Sequence, residues 1–253
     1  TMDHGELERP RAEGKLENLA RELAAEPLGG TIGIGHTRWA THGAPTVDNA
    51  HPHIVGPVAI VHNGIIENFK PLREELIADG RKFSSETDTE VVAHLIAIMP
   101  QDSLLESVRA ALRMITGTYG LAVVDAERPD CLVIARNGSP VVIGIGEREM
   151  FVASDTAALV RHTQSVVHLD DGEVAVVRAD GFETSTLDGG ATAKKPSTIP
   201  FTDESFDKEG YSHYMRKEFA EQPESIPRTL SGRLDTRFQT THIGGLEMAA
   251  REL

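Results

Sequence analysis

From Tyr119 to Leu187 the chain falls into seven short runs rich in β-formers: Tyr119–Asp125, Cys131–Arg136, Val141–Ile145, Met150–Ala153, Val166–Leu169, Glu173–Arg178 and Glu183–Leu187. Gly, Pro, Asn and Asp stand between them, residues that turn a chain. Regular spacing this short favours antiparallel hairpins over parallel pairs, which need a crossover of a dozen or more residues each. Only Ser154–His162 interrupts the series, and it reads as a short capped helix.

The chain before this meander has a different period. Leu16, Leu19 and Leu23, with Ala20 and Ala24, set an apolar stripe over Lys15–Glu26, and Pro27 and Gly29-Gly30 end that helix. Two β-type runs follow, Thr31–Trp39 and Pro57–Ile66, joined by a loop rich in His, Asn, Pro and Gly. Helices are then expected at Pro71–Ala78, at Asp88–Met99 with its acidic first turn, and from Ser103, where Ser103 and Glu106 have capping-box spacing. Strands, then helices, then a meander make an α+β layout, with helices flanking antiparallel sheets. Thr192–Asp207 lacks apolar periodicity and reads as a linker, and Tyr211–Gln222 as a helix that Pro223 stops. Leu230–Leu253 is too short to bury a core and reads as the opening of another domain.

Composition removes several function classes. The 25 basic against 39 acidic residues give a net charge of −14, ill-suited to a reader of phosphate backbones, so nucleic acid is not an expected partner. No run is apolar enough to span a bilayer. The single cysteine, Cys131, closes no internal disulfide and suits a reducing, cytoplasmic setting. It sits in an apolar β run, as a buried inert thiol would.

His36, His42, His51, His53 and His62, five of the eleven histidines, share one segment with Trp39, the only tryptophan. Zinc would explain such a cluster, but neither an HExxH pattern nor a CxxC partner is present, and no metal is expected. Polar histidines satisfied by loop hydrogen bonds are the plain alternative. A pocket for a small zwitterion is the third reading. Arg38 can grip a carboxylate with its guanidinium, and Asp88 at a helix start can accept from an ammonium. The Asn63 amide and the Gly64 N–H could both face a developing oxyanion, glycine allowing close approach. Alone, Asn-Gly is more often a hairpin turn.

Four blocks in order change that weighting: His36–Gly43 (HTRWATHG), Asn49–His53 (NAHPH), His62–Asn68 (HNGIIEN) and Ser85–Glu90 (SETDTE). Together with Arg136–Pro140, Ala153–Asp155 and Tyr211–Pro223, they resemble the glutaminase domain of the glutamine–fructose-6-phosphate aminotransferase (isomerizing) family and its entry into a sugar-phosphate isomerase domain. The segment Tyr214–Pro223 favours this family over amidophosphoribosyltransferase, whose glutaminase domain shares the earlier blocks.

The resemblance implies a four-layer αββα sandwich of the N-terminal-nucleophile hydrolase type, with residues 1–191 as glutaminase domain, 192–210 as linker and 211–253 as the start of the isomerase (SIS) domain. It implies glutamine hydrolysis, with ammonia passed to fructose 6-phosphate to give glucosamine 6-phosphate, without a cofactor. The full enzyme would be a cytoplasmic homo-oligomer. By similarity Arg38 would hold the α-carboxylate with backbone help from Thr41 and His42, while Asp88 and the Gly64 carbonyl would take the α-amino group. Asn63 and Gly64 would form the oxyanion hole, Trp39 would lie on a loop closing over glutamine, and His51 and His62 would support the pocket. Members of the family use an N-terminal cysteine as nucleophile, its α-amino group acting as base. Thr1 and the residues after it do not match that start, so the chain reads as an internal fragment, incomplete at the N-terminus and inactive alone. A phosphoribosyl amidotransferase and a non-catalytic glutamine-binding module are the alternatives.

Overall fold

The computed structural model describes residues 1–39, 43–99, 102–199, 208–231, 234–235 and 240–241. They divide into two compact units, Thr1–Phe201 and Thr202–Leu253.

The first unit opens with two short paired strands, β1 (Met2–Asp3) and β2 (Glu6–Leu7), and helix α1 (Leu16–Ala25). Next come β3 (His53–Val55), β4 (Val58–Ile66), and helices α2 (Phe69–Ala78), α3 (Asp88–Ile98) and α4 (Leu104–Leu112). The meander supplies β5 (Gly117–Asp125), β6 (Leu132–Asn137), β7 (Val142–Ile145), β8 (Met150–Ala153), β9 (Ser165–His168), β10 (Glu173–Arg178) and β11 (Gly181–Thr186). Two further strands, β12 (Ala191–Thr192) at the edge of the stretch that reads as a linker in sequence and β13 (Ser197–Thr198) inside it, join one sheet each.

The strands form a seven-stranded sheet in the order β12-β11-β10-β6-β5-β4-β3 and a four-stranded sheet in the order β13-β9-β7-β8. Every pairing is antiparallel. The predicted α+β layout of hairpins and flanking helices is what the chain adopts. Alternation along the strands decides what each face touches. Ile60 of β4, Val123 of β5 and Val133 of β6 pack with Val91 and Leu95 of α3 and Val108 of α4. On the opposite face Ile134 of β6 and Ala175 of β10 meet Ile143 of β7 and Val167 of β9. Each such Val, Leu or Ile side chain contributes about 1.5–3 kcal/mol by leaving water.

Helix α3 is the pivot of the first layer, buried from Asp88 to Ile96. Thr87 caps it by accepting from the Glu90 N–H, and Ser103 caps α4 from Glu106 as its spacing predicts. The layer outside the small sheet is thin: Leu159 and Ile199 cover Val142 and Val166. There the expected Ser154–His162 helix is only a 3₁₀ turn, Thr156–Ala158. Asp155 explains this, because its carboxylate takes the Ala157 N–H and the turn closes by i→i+3 bonds instead.

Thr31–Trp39 is not a strand. Ile32 bridges to Met2 and nothing else in the segment pairs as a strand, since Gly33 and Gly35 alternate with the apolar residues and leave one face without side chains. In the second unit α5 (Tyr214–Leu230) runs on through Pro223 and Pro227, past the expected stop. Two short paired strands follow it, β14 (Leu234–Asp235) and β15 (Thr240–Thr241).

Candidate active site

Strand β4 places the site by its alternation. Residues 58, 60, 62 and 66 face the helices, so Val61, Asn63 and Ile65 face the space between the sheets. Beyond Ile60, β4 has run past its partner β3, so from Val61 to Ile66 it is paired on the β5 side only among the described residues. A cavity of about 1060 Å³ opens along this stretch, lined by His36, Asn63, Gly64 and Asp88 on one side and by Val141 and Met150 on the other. Trp39 stands at the lining, 92% exposed.

Backbone geometry at Asn63-Gly64 is tightly specified. Gly64 has φ +135°, and a Cβ there would lie 2.1 Å from the Thr118 carbonyl oxygen. Gly117, on the facing strand, has φ +133° and would place a Cβ 2.1 Å from the Ile65 carbonyl oxygen. No L side chain fits either position. Opposite Asn63 in the ladder is Gly120, so no side chain stands across from its amide.

The charged candidates come from two other elements. Asp88 opens α3, is 4% exposed, and accepts the Ile66 N–H at 2.8 Å through Oδ2. Arg38 adopts φ 51°, unusual for a residue with a Cβ, and its backbone N–H donates to His36 Nδ1, 2.9 Å away. Its guanidinium donates to the carbonyls of Ala44 and Gly43. Thr41 and His42 lie outside the described residues.

The histidine cluster is a hydrogen-bonded chain. His36 Nε2 meets Asn63 Oδ1 at 2.8 Å, and its Nδ1 meets His51 Nδ1 at 3.1 Å. His51 Nε2 and His62 Nδ1 both contact Thr89 Oγ1 at 3.0 Å, and His62 Nε2 faces the Thr118 carbonyl at 3.2 Å. Burial lowers the pKa of His36, and burial next to His36 takes that of His51 down to about 2. Ring nitrogens spent on one another in this way explain the cluster without a metal, and among the described residues no group of three His, Cys, Asp or Glu is disposed to hold one.

The loop that carries His51 is anchored from a distance. Arg11 donates to the carbonyls of Asp48 and Ala50, Arg9 to that of Pro52, and the His51-Pro52 peptide is cis. Buried Asn49 donates to the Ala44 carbonyl and accepts from the Glu86 N–H. Sequence reasoning missed these anchors, and also Thr89 and Thr118, although Thr89 lies inside the SETDTE block. Cys131 is buried in the helix-side core, burial raising its pKa, and neither it nor Thr1 lines the cavity.

The model of the glutamine amidotransferase domain family matches residues 25–188, a span that includes β4, α3 and the whole histidine chain. The chain belongs to the glutamine amidotransferase family. Among curated relatives, this chain is 49% identical to glutamine–fructose-6-phosphate aminotransferase [isomerizing] of Mesorhizobium japonicum over 99% of this chain and 43% of that protein. It is 44% identical to the enzyme of the same name from Chlorobaculum tepidum, over 95% of this chain and 40% of that protein. The chain thus spans less than half the length of these relatives. Among solved structures, glutamine phosphoribosylpyrophosphate amidotransferase from B. subtilis superposes with a TM-score of 0.53 at 26% identity, over 60% of this chain and 34% of that one. The amidotransferase domain therefore has the α+β fold of the N-terminal-nucleophile type, with helices on one side of stacked antiparallel sheets.

Proposed function

We propose that the chain carries the glutamine-hydrolysing site of an enzyme that passes ammonia to fructose 6-phosphate, giving glucosamine 6-phosphate and glutamate. The observation that carries this reading is the convergence on one cavity of Asn63-Gly64, Asp88 and the Arg38 loop, a donor pair, an ammonium acceptor and a carboxylate clamp. In this reading Arg38, helped by the backbone at Thr41 and His42, holds the glutamine α-carboxylate. Asp88 and the Gly64 carbonyl hold its ammonium. Asn63 Nδ2 and the Gly64 N–H take the oxyanion that forms when a thiol attacks the side-chain carbonyl. Ammonia leaves, and water then cleaves the thioester to glutamate.

In this reading the thiol is the N-terminal cysteine that the family uses, and Cys131, a core residue here, takes no part. Trp39 covers the bound amide and keeps ammonia from bulk water, and His51 and His62 support the pocket. Residues 1–191 serve as glutaminase domain, 192–210 as linker, and 211–253 begin the isomerase domain of a cytoplasmic homo-oligomer. The higher identity to the fructose 6-phosphate enzymes than to the phosphoribosyl one supports this acceptor. In the full-length gene product, Asn63→Ala is expected to lower kcat for glutamate release about 100-fold with little change in Tm. An unchanged kcat overturns the oxyanion assignment, and ammonia transfer to phosphoribosylpyrophosphate overturns the acceptor.

A further inference from the structure

We propose that His36 is a positioning residue, which fixes the Asn63 side chain in the one amide orientation that offers Nδ2 to the reacting carbonyl. The inference rests on the reading of Asn63 as an oxyanion donor and goes beyond it by asking what holds that donor.

An amide flipped end for end presents an oxygen where a donor is needed, and an isolated Asn has little preference between the two. Here the choice is made by the ring beside it. The Arg38 backbone N–H can only donate, and it points at His36 Nδ1 from 2.9 Å. Nδ1 of His36 is therefore bare and the ring's single proton sits on Nε2. Nε2–H faces Asn63 at 2.8 Å; the His62 backbone also accepts from the ring, and an N–H this close to the amide excludes Nδ2 and selects Oδ1. The other arm, Nδ2, has no protein partner among the described residues and is left for the cavity that Asn63 lines.

The contacts continue outward: His51 Nδ1 stands 3.1 Å from the same His36 nitrogen, and His51 Nε2 lies 3.0 Å from the Thr89 hydroxyl. Thr89 Oγ1 also contacts His62 Nδ1 at 3.0 Å. The last contact runs from His62 Nε2 to the Thr118 carbonyl, which can only accept. The Arg38 N–H thus fixes the His36 tautomer and, through it, the Asn63 amide. The residue read as the carboxylate clamp thus also sets the oxyanion donor, through His36.

A double-mutant cycle in the full-length gene product tests this. His36→Leu is expected to lower kcat for glutamine hydrolysis about tenfold, with KM for glutamine within about twofold, while the same change in an Asn63→Ala background has no further effect. Equal losses in both backgrounds, or no loss from His36→Leu where Asn63→Ala costs 100-fold, overturn the positioning role and leave the oxyanion reading standing. No loss from Asn63→Ala overturns both. His36→Gln, which keeps a donor for Oδ1, is expected to recover kcat to within about threefold of the parent, and a Gln variant no better than Leu counts against the proposal. ¹⁵N spectra of the unmutated chain labelled at histidine are expected to show His36 protonated at Nε2 alone. Protonation at Nδ1 overturns the proposal without any variant.

Discussion

Two polar clusters leave the first turn of α3 from neighbouring residues and go to different fates. Glu90 turns into the protein, where its carboxylate accepts from the N–H and hydroxyl of both Ser84 and Ser85 at 2.6–2.8 Å. His53 closes that cluster through Thr87 Oγ1 at 2.9 Å. Thr89 turns instead toward β4 and joins His51 to His62, in the chain that ends on the cavity at Asn63. Both clusters use hydroxyls, imidazoles and a capping turn, so residue types do not separate them. The atom at the end does: every acceptor position of Glu90 is turned to protein, whereas the outer chain stops at an amide with one arm unspent. A sealed cluster converts its bonds into stability, and an open one converts them into orientation.

The sharpest way to break the comparison is Glu90→Ala. Burial alone would raise the pKa of Glu90, but the serine N–H and hydroxyl donors outweigh it and hold the carboxyl below its usual range. Removing it strands those donors and is expected to cost about 3 kcal/mol of stability by urea unfolding, with kcat per folded molecule unchanged. A loss of kcat without a loss of stability would make the two clusters one.

Acid is expected to act next most strongly. Unfolded histidines take a proton near pH 6.5, whereas burial holds His53 down to about 4 and His51 to about 2. The folded-state pKa values lie below the unfolded one, so the stability present above pH 6.5 drains away as pH falls toward those values. Each ring contributes about 1.4 kcal/mol per pH unit. Unfolding free energies between pH 7 and pH 4.5 should show the combined slope, and His53→Gln and His51→Gln should each lower it by about 1.4 kcal/mol per pH unit. A slope that either variant removes entirely would mean that only one cluster stays neutral.

The smallest stability effect is expected from Thr89→Val, which keeps the shape and removes the bridging hydroxyl, at about 1 kcal/mol. Its sign of function is a several-fold fall in kcat at constant KM in the full-length gene product, the reverse of the Glu90→Ala pattern.

Much of the fold was legible because its signals are local. The Ser103 cap, the start of α3 and the strands of the meander depend on residues within a few positions of one another. β1, β2 and β3, at two or three residues each, are too short for alternation to register, and β-rich Thr31–Trp39 lacked a partner to pair with. The site was legible as a set of residues through its sequence blocks. Its wiring was not, because His36 and Asn63 are 27 positions apart and His62 and Thr118 are 56 apart, so nothing near His36 marks it as the ring that meets Asn63. A crowded histidine segment was the only trace.

The reciprocal glycines at Gly64 and Gly117 carry a consequence for how β4 finds β5. Each sits where the facing carbonyl leaves 2.1 Å for a Cβ that is not there. A slip of one residue would bring Asn63 or Ile65 to that place and exchange His62 with Asn63 between the two faces of the sheet. The pair works like the bitting of a key: misaligned strands are refused by contact before any hydrogen bond can reward them, so Asn63 reaches the cavity only in a chain whose β4–β5 pairing has already been proofread.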